Sequence, residues 1–201
     1  MLKPGCEEYQ GLCFTDEDFT DAGLSGLRFE KCRFWGAAMT GVTMVKCTFD
    51  TCDFSFADIS GGIFDGCAFV NCRFDGARLF TSEFLGCKGT GSNFSSANLT
   101  GMVIRGGLFD YSVWKGCDLR RMDLRGVSFE GANLENADLE KSDLREANLS
   151  RSILHHTNLK EADLRGAKTD GTDLRNAIFQ KTKIDLSAAV SLAEQMGCIL
   201  P

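Results

Sequence analysis

Large apolar residues recur at every fifth position along nearly the whole chain. Steps of five from Phe14 to Ile184 give 35 positions, and 33 of them carry a large apolar residue. The two exceptions are Gly89 and Thr169. Fourteen of the 16 phenylalanines fall in this register, so the period and not the overall composition decides where they stand. We call these 35 residues the centres of the five-residue units.

A period of five fits neither a helix nor a flat strand. Five residues advance an α-helix about 140° beyond a full turn, so the centres would scatter around its surface. On a strand, residues five apart point to opposite faces. Small residues usually stand two positions before a centre, and glycine often stands two positions after it; examples are Ala37, Cys52, Ala57 and Cys72 before, and Gly36, Gly61 and Gly76 after. The pattern predicts that each unit forms one side of a closed coil, with the centre and the small residue inside. Such coils stack as a solenoid.

Identical residues at a spacing of twenty indicate four sides per coil. They are Cys32, Cys52 and Cys72; Cys47, Cys67 and Cys87; and Arg105, Arg125, Arg145 and Arg165. A five-residue period alone also permits other multiples of five. With four units per coil, the units make about nine coils, and the rod is about 40 Å long at about 4.8 Å per coil.

Words of the form Ala-Asp-Leu or Ala-Asn-Leu, such as Ala132-Asn133-Leu134 and Ala162-Asp163-Leu164, give the sequence a family resemblance. The chain resembles the pentapeptide-repeat proteins over residues 12–186. This resemblance implies an all-β solenoid, a right-handed quadrilateral β-helix, followed by a short C-terminal helix and a terminal extended segment. We therefore expect residues 1–186 to form the pentapeptide-repeat β-helix and residues 187–201 to form a C-terminal helix and dimerisation tail.

The five-residue period ends after Ile184, and the segment DLSAAVSLAEQMG has apolar residues at helical spacing. Asp185 or Ser187 suits the N-cap, and Gly197 suits the stop. The helix either covers only the last coil or joins two chains, and we favour a homodimer because the tail carries more apolar residues than a cap requires. The residues expected in the dimer interface are Leu186, Ala189, Val190, Leu192, Ala193, Met196, Cys198, Ile199 and Leu200.

The ten cysteines indicate core packing rather than disulfide bonds. Seven of them stand at the small inward position, where cysteine acts as a compact hydrophobic residue. The sequence has no apolar run long enough to span a membrane, and its first ten residues lack the apolar core of a signal peptide. We therefore expect a cytoplasmic protein, and a reducing compartment disfavours disulfides. Ladders of thiols also lack the converging ligand sets that zinc requires.

No motif for catalysis or for a cofactor stands out. The two histidines, His155 and His156, are adjacent and lie at outward positions, so we interpret them as solvated residues. Aspartate and arginine flank many of the leucine centres, as in Asp143-Leu144-Arg145. We interpret these as an exposed lattice of ion pairs, each worth little alone. We expect a non-enzymatic protein with no cofactor, no metal and no catalytic residue.

The net charge of −6 bears on the kind of partner. Duplex DNA carries about one charge per 1.7 Å, or about 24 over the length of the rod, so only a local acidic stripe provides a comparable charge density. The position after every fourth centre carries five acids among eight residues and no base: Glu30, Asp50, Val70, Thr90, Asp110, Glu130, Ser150 and Asp170. The alternative is that outward positions of a soluble protein are simply charged. The expected partner-binding residues are Asp16, Asp18, Glu30, Asp50, Asp110, Glu130 and the outward aromatic residues Trp35 and Phe56.

The tail VSLAEQMGCIL and the opening FTDEDF are similar to those of the MfpA/Qnr branch of the family. This resemblance implies a DNA-mimicking rod that binds DNA gyrase or topoisomerase IV, without binding nucleic acid itself. It also implies modulated supercoiling and resistance to gyrase inhibitors, either fluoroquinolones or a producer's own toxin. Qnr members carry projecting loops that interrupt the register; this chain has none, which places it nearer MfpA and nearer simple inhibition. The alternative is a structural scaffold or interaction protein with a different partner.

Overall fold

The computed structural model describes residues 5–199, and this range contains nine strands of three residues and one helix. The elements are β1 (Glu8–Gln10), β2 (Gly23–Ser25), β3 (Arg28–Glu30), β4 (Thr43–Val45), β5 (Thr48–Asp50), β6 (Ile63–Asp65), β7 (Ala68–Val70), β8 (Glu83–Leu85), β9 (Val103–Arg105) and α1 (Leu186–Gln195). Within residues 5–199, no helix has the length and apolar character needed to cross a membrane.

All strand pairs are parallel and join residues twenty apart in sequence. One sheet contains β1, β3, β5 and β7, and the other contains β2, β4, β6, β8 and β9. Single bridges with the same spacing continue the stacking, from Cys13↔Arg33 near one end to Asp163↔Lys183 near the other. The prediction of an all-β solenoid with four units per coil is confirmed.

Regular strands cover fewer turns than the nine coils predicted. The larger sheet spans five turns, from Gly23 to Arg105, and single bridges join the later coils. Many units of the later coils close with a tight turn, in which the amide three residues after a centre donates to the carbonyl of that centre. Ala137 N to Leu134 O at 3.0 Å is one example. Such a turn leaves only a short extended stretch on each side, so the side pairs through a single bridge.

The centres pack in columns inside the coils. The rings of Phe34 and Phe54 stack with centroids 4.8 Å apart and planes 5° apart. Neighbouring columns meet edge to face, as Phe49 and Phe54 do at 5.2 Å and 74°. The column that contains Phe34 and Phe54 continues to Phe94 and Trp114, whose ring centroids are 4.2 Å apart. Each such pair contributes about 0.5–1.5 kcal/mol beyond the burial of its area, so the stacked rings stabilise the N-terminal coils in particular.

The residue two positions after a centre usually forms the corner and takes the left-handed backbone conformation. Gly36 (φ 67°) and Gly76 (φ 65°) adopt it without steric cost, which explains the glycines at this position. Seventeen non-glycine residues of the described chain also have positive φ. They include the β-branched Thr51 (φ 55°) and the aromatic Phe56 (φ 60°), so the coil imposes this conformation on residues that disfavour it.

The structure shows what surrounds Gly89 and Thr169, the two centres that are not large apolar residues. A Cβ at Gly89 would lie 2.4 Å from Cδ1 of Phe109, so the ring of Phe109 in the next coil already fills the space of the missing side chain. Phe109 in turn packs edge to face on the buried Trp114, with centroids 5.6 Å apart. Thr169 is half-buried and belongs to the last coil on its side, because the residue twenty positions later lies in α1.

The ten cysteines are free thiols, and the seven at the small inward position are buried. Six of these sulfur atoms donate to carbonyls of the preceding coil, as Cys52 Sγ does to Phe29 O at 3.5 Å and Cys87 Sγ to Phe64 O at 3.2 Å. Cys47 Sγ donates to Val45 O at 3.6 Å. Ser92 Oγ makes the equivalent bond, at 2.9 Å, to the carbonyl 23 residues before it. The inward position therefore suits short side chains that donate a hydrogen bond, and the prediction of packing is confirmed.

α1 begins at the end of the last coil and is tied to it. Asp185 is the N-cap, and its Oδ1 accepts from Ala188 N at 3.0 Å and from Ser187 Oγ at 2.7 Å. Its Oδ2 accepts from Gly166 N at 2.9 Å, which fixes the start of the helix against the preceding coil. The helix is confirmed, and of the two predicted caps it is Asp185 that serves.

The other end of α1 is also attached to the solenoid. Gln195 donates through Nε2 to Thr172 O and accepts through Oε1 from Leu174 N, both at 2.9 Å. These bonds satisfy backbone groups at the open edge of the last coil, which would otherwise be free to pair with another chain. The helix therefore acts at least as a cap.

Candidate partner-binding faces

Glu30 and Asp50 lie side by side on neighbouring coils. They end β3 and β5, they are register partners in one sheet, and both are half-buried. Gln10 Nε2 donates to Glu30 Oε1 at 3.2 Å, and Thr51 Oγ1 donates to Asp50 Oδ1 at 2.9 Å. Lys31 Nζ lies 3.1 Å from Glu30 Oε1, so one of the two negative charges has a cation beside it. We call these two residues the N-terminal acidic pair.

Asp110 and Glu130 form a second pair on neighbouring coils, the C-terminal acidic pair. Asp110 Oδ1 accepts from Glu130 N at 3.1 Å and from the hydroxyl of Ser128. Glu130 Oε2 accepts from Asn148 Nδ2 at 3.2 Å, and its Oε1 lies 3.6 Å from a guanidinium nitrogen of Arg151. The hydrogen bonds hold both carboxylates in place.

The two acidic pairs belong to one column but do not form a continuous stripe. Val70 and Thr90 occupy the coils between Asp50 and Asp110, a separation of three coils or about 14 Å. Each pair also has one cation from the adjacent corner. The structure therefore presents two acidic patches on one side of the rod.

Trp35 and Phe56 lie on neighbouring coils, as the sequence predicts, and they contact each other. Their rings meet edge to face with centroids 5.6 Å apart, and their exposed fractions are 44% and 58%. The ring of Phe56 covers Gly76 of the next coil, where a Cβ would lie 2.7 Å from the ring. These contacts hold the two exposed rings in fixed positions.

The two remaining predicted residues lie near the N-terminal end. Asp16 is an exposed corner residue in the same column as Phe56, two coils before it. Asp18 is exposed on the next side, where it bridges to Ala38, and its pKa is lowered by hydrogen bonds from Thr20. Asp16 therefore lies in the corner column of Phe56. Asp18 lies on a different side of the rod from the other predicted partner-binding residues.

Tyr111 is an exposed residue of the same surface that the sequence reasoning missed. It is 60% exposed, it follows Asp110 directly, and its ring covers Gly131 as Phe56 covers Gly76. The sequence signal that could have identified Tyr111 is an aromatic residue at a corner position with a glycine twenty positions later. Tyr111 places an aromatic ring beside the C-terminal acidic pair.

The other polar groups that the sequence singled out lie on the surface. Within residues 5–199, no group of three or more histidine, cysteine or acidic residues could hold a metal ion. His155 and His156 are exposed, with their rings 4.0 Å apart. The predicted aspartate–arginine lattice is present; Asp143 and Arg145, for example, form an ion pair of 2.6 Å.

The tail exposes part of its apolar surface. Leu192 packs against the core, whereas Leu186, Met196 and Ile199 are 79%, 70% and 97% exposed. The other predicted interface residues are half-buried (Ala189, Val190 and Ala193) or exposed (Cys198), and Leu200 lies outside the described residues.

Comparisons with known proteins agree with this architecture. Residues 18–55 and 142–180 match the family model of pentapeptide repeats (8 copies), and residues 57–134 match that of a pentapeptide repeat region. No curated protein sequence matches the chain.

Solved structures of QnrB1, a plasmid-mediated fluoroquinolone resistance protein, have the same fold. A trypsin-treated variant superposes with a TM-score of 0.84 at 23% identity, over 98% of both chains. The full-length protein superposes with a TM-score of 0.78 at 22% identity, over 95% of this chain and 100% of its own. The matched repeat models cover more than half of the residues and show that the chain belongs to the pentapeptide-repeat family.

Proposed function

We propose that the protein binds DNA gyrase or topoisomerase IV as a DNA-mimicking rod, modulates supercoiling, and gives resistance to gyrase inhibitors such as fluoroquinolones or a toxin. The observation that carries the proposal is the column with two acidic pairs on one side of a stacked, four-sided solenoid. A site that binds the DNA backbone offers cations in a groove, and a rod with acidic patches is complementary to it.

The acids are held in position before binding. Asp110 is fixed by a backbone amide and a hydroxyl, and Glu30 by the amide of Gln10. A rigid arrangement lowers the conformational entropy lost on binding, so few charges suffice for recognition. This matters because the net charge of the chain is far below that of DNA of equal length.

The exposed aromatic residues supply a second kind of contact. Trp35 and Phe56 form one cluster, and Tyr111 stands beside the C-terminal acidic pair. Rigid aromatic side chains are enriched among the residues that dominate binding energy at protein interfaces. We include Asp16 and Asp18 at the margin of this surface.

Two further observations support the proposal. QnrB1, which has the same fold over nearly the whole chain, is a fluoroquinolone resistance protein. The exposed apolar residues of the tail, Leu186, Met196 and Ile199, suit a homodimer joined end to end through the tails. Such a dimer would double the length of rod offered to the partner.

The test is a supercoiling assay with purified gyrase, with and without a fluoroquinolone. The wild-type protein is expected to inhibit supercoiling or to reduce poisoning by the drug. A variant with Glu30→Lys, Asp50→Lys, Glu130→Lys and Asp110→Asn is expected to lose both effects. Asparagine is chosen at position 110 because it can still accept the hydrogen bonds of Ser128 and Glu130.

The matched control carries the same change of net charge on other columns. It combines Asp65→Lys, Glu83→Lys and Glu161→Lys with Glu146→Gln, and it should keep the wild-type effect. Equal loss in the two variants would show that only overall charge matters. If the folded wild-type protein neither bound gyrase nor altered its activity, a scaffold role with another partner would replace this proposal.

A further inference from the structure

Backbone hydrogen bonds between two neighbouring coils are missing on two of the four sides. Elsewhere, the amide of a centre on these sides donates to the carbonyl nineteen residues later, as Leu79 N does to Asn98 O at 2.9 Å. In the described chain, no backbone hydrogen bond joins residues 96–106 to residues 116–126. The bridges that stack the coils are interrupted at the same place.

The same two coils remain joined on the other two sides. The bridges Asn93↔Val113 and Leu108↔Ser128 are in normal register. The two coils therefore stay paired on two sides and diverge on the other two. A groove of about 660 Å³ occupies the opening, and its lining includes apolar Leu99, Ile104 and Met122.

Two methionines explain the opening. Met102 and Met122 occupy the small inward position on consecutive coils of one side; the other coils have Ala22, Val42, Gly62, Ser82, Ser142, Ala162 and Thr182 there. At Gly62 even a Cβ would lie 3.0 Å from Ile59 O and 3.1 Å from the ring of Phe64. A position this crowded cannot hold two long side chains at normal coil spacing, so the coils move apart.

The two coils that border the groove carry backbone amides and carbonyls that lack their usual hydrogen bonds to the neighbouring coil. On one coil these are the amides of Leu99 and Gly101, and on the next coil they are the carbonyls of Asp118 and Arg120. The groove also borders β9, which is the last strand of its sheet, and an extended peptide can pair with an exposed strand edge. The geometry thus favours a peptide in extended conformation over a compact ligand.

The charges at the groove favour an acidic occupant. Arg105 and Arg121 line the opening, and neither forms an ion pair within the described residues. Three acidic residues also line the groove, and each is already paired: Asp118 with Arg120 at 2.6 Å, Asp123 with Arg125 at 2.7 Å and Glu140 with Lys141 at 2.9 Å. Two guanidinium groups are therefore available for carboxylates of a ligand.

We propose that this groove binds an extended acidic segment of a partner protein. The segment adds to the exposed strand edges through its backbone and places carboxylates against Arg105 and Arg121. The groove lies on the sides of the rod centred on Leu99 and Ile104, not in the column of the two acidic pairs. The inference therefore does not depend on the proposed gyrase-binding surface.

The test uses the full chain and a labelled peptide, acetyl-Thr-Val-Glu-Val-Thr-amide, in a fluorescence anisotropy titration. Two control peptides carry either glutamine in place of glutamate or N-methyl groups on both valines. We expect saturable binding of the first peptide and binding about tenfold or more weaker for each control, because each loses charge-assisted or backbone hydrogen bonds. Equal affinity of the N-methylated peptide would overturn the strand-addition mechanism.

Variants of the protein locate the site. Arg105→Gln with Arg121→Gln should weaken binding of the glutamate peptide to the level of the glutamine peptide, whereas the exposed pair Arg28→Gln with Arg33→Gln should not. Met102→Ser with Met122→Ser should close the groove and abolish binding. Hydrogen exchange checks this second variant, because the amides of Leu99 and Gly101 should become protected when the coils pair.

Three outcomes would overturn the proposal: no binding of the glutamate peptide to the folded wild-type chain, no effect of the groove arginines, or retained binding in a closed methionine variant. The arginine variant should behave as wild type in the gyrase assay. The two proposals therefore fail separately.

Discussion

At the scale of single residues, the corner position carries the main conflict between sequence and structure. The coil requires the left-handed conformation there, and non-glycine residues such as Thr51 and Phe56 adopt it. For L-residues this conformation costs roughly 1–2 kcal/mol. Phe56 recovers part of that cost by packing its ring on Gly76. Thr51 is exposed, and its side-chain hydroxyl donates a hydrogen bond to Asp50.

We therefore expect Thr51→Gly to stabilise the protein by up to about 1 kcal/mol, since relief of strain exceeds the entropy that glycine adds to the unfolded chain. The matched control is Thr43→Gly. Thr43 is also exposed but lies in β4 with ordinary φ, and its replacement should destabilise by about 0.5–1 kcal/mol. Urea unfolding measures both, and effects of the same sign would contradict the explanation.

Gly89 is the residue at which completing the repeat should harm the protein. Gly89→Leu would place a side chain where the ring of Phe109 lies, and we expect a loss of about 1–3 kcal/mol from overpacking. Backbone strain adds nothing to this loss of stability, because Gly89 is not among the glycines with positive φ. In the double variant with Phe109→Leu the two effects should partly cancel, as a double-mutant cycle would show. Additive losses would mean that the ring does not occupy this space.

At the scale of the structural unit, the residue before a centre organises a side of the coil. Its carboxylate or amide oxygen accepts from the backbone amide two residues later, as Asn133 does from Glu135 N at 3.0 Å and Asp163 does from Arg165 N at 3.2 Å. The two residue types are therefore interchangeable for the turn. Only aspartate adds a bidentate pair with arginine, and this pair lowers the pKa of Asp163 to about 2.

A depressed pKa contributes stability that is present above the ordinary pKa of 3.8 and is lost as the pH falls toward about 2. Asp163→Asn keeps the turn and removes the charge, so it should be less stable at neutral pH by no more than about 1 kcal/mol, because Arg165 is exposed to solvent. The difference from wild type should vanish near pH 2. Unfolding curves between pH 2 and pH 7, with Asp65→Asn as a control lacking an ion pair in the described chain, test this. A difference that persisted at pH 2 would assign the effect to the turn.

At the scale of the whole molecule, the C-terminal end of the rod carries both a cap and exposed apolar residues. α1 attaches to the last coil through Asp185 and Gln195, so it does not need a second chain to stay in place. Leu186 and Ile199 remain largely exposed after this attachment. Apolar surface left over by a cap is a reason to expect association.

We expect Leu186→Asp with Ile199→Asp to convert a dimer into a monomer without unfolding α1, since neither residue is buried in the single chain. Light scattering gives the mass, and circular dichroism reports the fold. Phe80→Asp is the control, because Phe80 is 48% exposed on the side of the rod, away from the tail. A wild-type protein that is already monomeric, or a tail variant that stays dimeric, would refute the end-to-end dimer.

Much of the fold could be predicted because the repeat is a local rule applied to every unit. The apolar centre, the small residue before it and the corner after it specify one side of the coil without reference to any other coil. The helical spacing after Ile184 likewise predicted α1, including Asp185 as a possible cap. The candidate surface was predicted less completely. The acids were found, but not the cations beside them. Lys31 directly follows Glu30 in the sequence, whereas Arg151 is brought beside Glu130 only by folding.

The sequence by itself determined the coil, its four sides, which residues face inward and where the rod ends, because each follows from the order of residues within five or twenty positions. Only the tertiary structure decided which outward charges meet, which ring fills the space beside Gly89, and where Met102 and Met122 force two coils apart. Those outcomes depend on the volumes and charges of side chains that meet across coils. A periodic pattern places such side chains opposite each other but does not say whether they fit.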